Sequence, residues 1–162
     1  MDSSSYIALL VFILANVMVA MSGAIFRPGA WYASLNKPSW QPPNWLFGPV
    51  WSILYAMIAV SGWFVWLEVG LQGAGLAFAV YAAQLFLNAI WSGLFFGMRR
   101  IDLAMFEVVF LWLSILLNII VFYPISAAAA WLLLPYLLWV SFAAFLNFVM
   151  LKLNPREAEE GA

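Results

Sequence analysis

The chain has 162 residues, 67% hydrophobic and only 8% charged, with a net charge of −1 and a mean hydropathy of +1.02. No soluble domain of this size keeps that much apolar surface out of water, so the composition places the protein in a bilayer. The sequence has no cysteine and no histidine. Disulfides, iron–sulfur clusters, thiol nucleophiles and the commonest metal ligand are thereby excluded, and neither a metal nor a required cofactor is expected. With six Lys and Arg against seven Asp and Glu, no nucleic-acid partner is expected.

A helix crossing roughly 30 Å of hydrocarbon needs about 20 mostly apolar residues. Five such stretches fill the chain, which reads as all-α, a single domain over 1–162 forming a bundle of five transmembrane helices. The first runs over about 6–26 and stops at Arg27-Pro28-Gly29. It lacks the basic leader of a signal peptide and is too long for one, so it is expected to be retained. A loop over 27–44 follows. The second stretch, 45–68, carries Pro49 in its opening turn, where a missing N–H does least harm. The third, 75–98, is closed by Arg99-Arg100, the fourth, 103–123, is stopped by Pro124, and the fifth, 127–153, is expected to bend at Pro135 before a short acidic tail. These runs are apolar all round rather than alternating, which excludes barrel strands.

The cations divide completely by side. Arg27 and Lys37 lie in the first loop, Arg99 and Arg100 after the third stretch, and Lys152 and Arg156 at the end. The positive-inside rule then puts loop 27–44 and the C-terminus on the cytoplasmic side of an inner membrane. The rule does not bind a protein delivered to an outer membrane. Glu68, Asp102 and Glu107 all fall at or near helix ends, where they read as interfacial charges or as partners of Arg99 and Arg100. A proton-driven transporter wants a carboxylate deep in the membrane, and this pattern predicts none.

Aromatic residues make up 19% of the chain, including ten tryptophans. Trp63, Trp66, Trp112 and Trp131 suit the headgroup belt. Trp31, Tyr32, Trp40, Trp45, Trp51 and Tyr55 instead crowd, among five prolines, into the first loop and the start of the second helix. A proline-stiffened loop of this kind reads as a lid on an apolar site.

On the third helix, steps of about 100° per residue put Tyr81, Gln84, Asn88 and Trp91 on one face. Gly75, Ala79, Ala82, Ala83 and Gly93 gather opposite. The amides should point into the bundle, Asn88 toward a ligand and Gln84 toward a ligand or a neighbouring helix. The small face, with Gly75, Ala79 and Ala83 at spacing four, permits close helix approach. Together with Ala20 and Ala24 it predicts a homodimer. On the fifth helix Pro135, Tyr136, Trp139, Ala143, Asn147 and Met150 share a face, presenting Trp139 as a second indole opposite Trp51.

The run Trp31-Tyr32, then Leu35-Asn36-Lys37-Pro38-Ser39-Trp40-Gln41-Pro42-Pro43 and Gly48-Pro49-Val50-Trp51, resembles the signature of the translocator protein and tryptophan-rich sensory protein family (TSPO, once the peripheral benzodiazepine receptor), in a bacterial member. Gln84 through Trp91, Phe95-Phe96-Gly97, Pro135 through Trp139 and Leu146-Asn147 extend the likeness over the whole chain. The resemblance implies a dimeric five-helix bundle of a bacterial envelope that binds tetrapyrroles such as protoporphyrin IX and heme. It also implies benzodiazepine-type ligands and, in many members, cholesterol.

Its pocket residues carry over to Trp31, Tyr32, Trp51, Asn88, Trp91 and Trp139. No catalytic residue is firm, although the light-dependent porphyrin breakdown of some relatives would rest on Trp51 and Trp139. Two positions depart from animal relatives. Phe148 stands before Lys152 where the sterol motif has Tyr, and Leu138 replaces a frequent Ala. The leading expectation is a receptor that senses, sequesters or moves tetrapyrroles. Its rivals are a porphyrin or sterol transporter or channel, and a photo-oxidative enzyme.

Overall fold

The structure, a computed structural model, describes residues 3–155, so the acidic tail and Arg156 lie outside the described residues. Five long helices carry the fold: α1 (Ser3–Ile25), α3 (Asn44–Gly73), α4 (Gly75–Ser92, continued as a π-turn over Gly93–Gly97), α5 (Ile101–Phe122) and α6 (Ala127–Leu153). Each is long and apolar enough to span a bilayer. A short helix, α2 (Ala30–Ser34), lies within the loop that joins α1 to α3. The long helices pack as a ring in the order α1, α3, α6, α5, α4, and α4 returns to α1.

The end of α3 and the course of α6 depart from the sequence pattern. Helix α3 runs five residues past Glu68, and its irregularity falls at Gly70, whose φ of 63° glycine alone adopts without strain. The bend expected at Pro135 does not divide α6, which is one continuous element. Pro135 is exposed.

Close approach between helices is set by glycine. A Cβ on Gly62 of α3 would lie 2.7 Å from the Phe12 ring of α1 and 3.1 Å from Tyr81 of α4, whereas one on Gly29 would meet nothing within 4 Å. Gly62→Val is therefore expected to lower stability by about 1–3 kcal/mol through overpacking. Thermal unfolding in detergent checks this, with Gly29→Ala as the variant that leaves the midpoint unmoved.

Trp131 is 63% exposed, while the indole N–H groups of Trp63 and Trp112 donate to the Ser5 carbonyl at 3.0 Å and the Ser141 hydroxyl at 2.8 Å. The acids divide differently from the expectation. Glu68 is exposed, and Asp102 accepts from Arg100 Nε at 2.8 Å and NH2 at 2.6 Å. Glu107, however, is only 7% exposed, and neither carboxylate oxygen has a hydrogen-bond partner among the described residues.

Glu107 is thus neither interfacial nor paired with Arg99 or Arg100. It lies six residues into α5, about 9 Å from the helix start, on a face that a reading of helix ends does not see. The bundle thus does hold an internal acid, and its lack no longer counts against a proton-driven transporter. Gln84 and Asn118 are also wholly buried without partners among the described residues. They lie one turn beyond the stacked pair of Tyr81 on α4 and Phe122 on α5, whose centroids are 6.0 Å apart.

Candidate ligand-binding site

A cavity of about 440 Å³ lies inside the ring beneath the lid loop. That volume falls within the roughly 300–1,000 Å³ usual for small-molecule sites. Helix α1 contributes Ala20, Gly23 and Ala24, whose small side chains leave room, and the lid contributes Pro28 and Tyr32. Aromatic walls come from Phe47, Trp51 and Tyr55 on α3 and from Trp91 and Phe96 on α4. Val108 and Leu111 of α5 and Val140 and Ala143 of α6 complete an apolar side. No Lys, Arg, Asp or Glu is among the lining residues.

One polar device crosses this wall. The Tyr55 hydroxyl donates to Asn88 Oδ1 at 2.7 Å, and Asn88 Nδ2 donates to the Tyr136 oxygen at 2.8 Å. An amide inside a bilayer needs partners on both ends, and two phenols from neighbouring helices supply them. The bridge ties α3, α4 and α6 together. Trp51, one turn before Tyr55, stacks on it at 5.4 Å and meets Tyr136 edge-on at 6.1 Å. Trp91, one turn beyond Asn88, stacks on Phe95 at 5.0 Å.

The lid is fastened at two places. Tyr32, 6% exposed, meets Phe95 and Phe96 edge-on at 6.2 and 5.4 Å, and its hydroxyl accepts from Gln41 Nε2 at 3.0 Å. Burial raises the Tyr32 phenol above its ordinary value, and the Gln41 bond offsets part of this. The phenol therefore stays neutral across the physiological range. At the far end, Asn154 Oδ1 accepts from the Asn36 N–H at 2.8 Å, and Asn154 Nδ2 donates to the Asn36 carbonyl at 2.9 Å. Asn154→Leu removes both bonds and is expected to release the lid, read as faster proteolysis within 27–44 at an unchanged rate elsewhere.

Of the residues marked in the sequence, Tyr32, Trp51, Asn88 and Trp91 line the cavity. Trp31 and Trp139 do not. Trp31 packs behind the wall, edge-on to Phe95 at 5.9 Å. Trp139 lies between Phe47 at 5.7 Å and Phe142 at 5.5 Å, so the aromatic group facing Trp51 is Tyr136 rather than a second indole.

The small-residue positions also separate. Ala20 and Ala24, expected on the pairing face, line the cavity, while Gly75, Ala79 and Ala83 are exposed on the outside of α4. Helix α1 turns these small side chains toward the cavity, and their size leaves its volume open. Phe148 and Lys152 sit outside the cavity at the end of α6, with Lys152 Nζ 5.6 Å from the ring. Leu138 is 62% exposed and points away from the pocket. Tyr55 and Tyr136 were visible as neighbours of the indoles, but their pairing with Asn88 depends on the helix order, which no single-helix pattern contains.

A family model described as the TspO/MBR family matches residues 8–153. The chain is 41% identical to Protein CrtK of Rhodobacter capsulatus over 150 residues, 91% of this chain and 92% of that protein. It is 38% identical to the tryptophan-rich sensory protein of Cereibacter sphaeroides over 153 residues, 94% of this chain and 95% of the relative. To the translocator protein of Homo sapiens it is 36% identical over 148 residues, 88% of each chain. Matches of this extent, on a bundle of five spanning helices, make the chain a multi-pass membrane protein that belongs to the TspO/MBR family.

Proposed function

We propose that the protein is a membrane receptor for tetrapyrroles such as protoporphyrin IX and heme, holding them in the cavity beneath the lid for sensing, sequestration or transfer. The observation that supports this most directly is the cavity itself. Its aromatic side walls and uncharged lining suit a broad, flat, mostly apolar ligand, and the Tyr55–Asn88–Tyr136 bridge supplies a few fixed polar atoms for orientation.

Titration of purified protein with protoporphyrin IX is expected to quench tryptophan fluorescence saturably, because Trp51 and Trp91 lie on the cavity wall. A linear, unsaturable decrease equal to that of free tryptophan would remove this reading. Benzodiazepine-type ligands fit the same apolar chemistry. Sterol contact at Phe148 and Lys152 would be a separate event on the outer surface. The exposed stripe of Gly75, Ala79 and Ala83 is the proposed homodimer face. In an inner membrane, the cation distribution favours a lid on the cytoplasmic side.

A further inference from the structure

Two lid cations have no role in the cavity as described so far. Arg27 stands between Phe26 and Pro28, both of which line the cavity, and its Nε donates to the carbonyl of Ala24, another lining residue, at 2.8 Å. Lys37 Nζ lies 4.6 Å from the centroid of the Tyr32 ring, also on the cavity wall, and donates to the Ala33 and Leu35 carbonyls at 3.3 and 3.2 Å. Both cations are thus held by neutral groups against residues that form the mouth of the cavity. Among the described residues the one ion pair is Arg100 with Asp102, so neither cation is matched by an acid.

The cavity lining itself holds no cation. Glu107 lies behind the α5 wall, adjacent in sequence to Val108 and one turn from Leu111, which line the cavity. It has no partner among the described residues. An anionic ligand group placed deep in the cavity would meet no cation and would lose its hydration. At the mouth, the same group would meet Arg27 and Lys37 while still partly in water.

We propose that Arg27 and Lys37 form an anion subsite at the cavity mouth that takes the carboxylate edge of a flat, apolar ligand. The ligand then enters with its acidic edge toward the lid and its apolar edge toward the Tyr55–Asn88–Tyr136 bridge. This rests on the tetrapyrrole reading above and assigns the ligand a direction.

The test compares protoporphyrin IX with its uncharged dimethyl ester in neutral detergent at low salt, by tryptophan quenching, for wild type and for Arg27→Gln combined with Lys37→Gln. The ratio of acid to ester affinity is expected to fall about fivefold in the double variant, the size of two partly exposed ion pairs. Added salt should lower the ratio in wild type toward the value in the variant. Arg27→Lys, which keeps the charge, should retain most of the ratio. Ester binding, measured on the same preparation, reports whether the cavity has formed. A ratio unchanged by the double substitution, with the ester still bound, overturns the subsite and leaves the tetrapyrrole reading intact. Failure of wild type to bind either probe overturns both.

Discussion

Asn88→Leu is expected to weaken the bundle and the site together. The substitution keeps the volume of the side chain and removes both amide bonds, leaving the Tyr55 and Tyr136 hydroxyls without the partner they share. Hydrogen bonds between membrane helices average about 0.6 kcal/mol and reach about 1.7, so two of them put the loss at about 1–3 kcal/mol. Tyr136 is wholly buried and cannot turn to water, which favours the upper half of that range. The same change removes the polar bridge from the cavity, and protoporphyrin IX affinity is expected to fall on the order of tenfold, since each 1.4 kcal/mol is a factor of ten. Thermal unfolding with and without ligand separates the two effects. Tyr55→Phe, which removes one bond and spares the other, should fall between wild type and Asn88→Leu. Equal melting temperatures for all three proteins would show that the bridge holds nothing together.

How much of this was legible beforehand depended on how local the signal is. The five spans follow from runs of apolar residues, because hydrocarbon leaves a helix no other way to satisfy its backbone. The inward placement of Asn88 and of the Tyr81 face of α4 followed from helical period alone, and both residues are buried. Facts that depend on which helices are neighbours were not legible. Small residues on α1 and on α4 look identical in sequence, but the ring order turns Ala20 and Ala24 toward the cavity and leaves Gly75, Ala79 and Ala83 outside.

Glu107 shows the same limit. Its distance from Arg100 along the chain suggests an interfacial charge, but α5 packs between α4 and α6, and burial at that point depends on those two neighbours. Asn154 was missed for a further reason. It bonds to the backbone of Asn36, 118 residues away, and backbone groups leave no mark in a side-chain pattern.

Trp51 and Trp139 were expected to act as a matched pair of indoles, and their surroundings now predict unequal roles. Trp51 presents its ring to the cavity and is backed by Tyr55 and Tyr136. Trp139 fills space between Phe47 and Phe142 outside the cavity wall. Removing a stacking surface from a ligand costs about 1–3 kcal/mol where it has been measured for planar bases. Trp51→Ala is therefore expected to reduce protoporphyrin IX affinity about tenfold or more, with a smaller effect on the melting temperature because part of the ring faces the cavity rather than packed neighbours. Trp139→Ala should do the reverse. Truncating a large side chain in packed surroundings lowers stability by about 3–5 kcal/mol when burial is complete. Trp139 is only partly buried, so a lower figure is expected, with affinity changing less than for Trp51→Ala. Titration and thermal unfolding of both variants decide the matter. A larger affinity loss for Trp139→Ala than for Trp51→Ala would mean that the ligand-bound helices bring Trp139 into the cavity, and that the wall described by Trp51, Tyr55 and Tyr136 is not the surface on which the ligand rests.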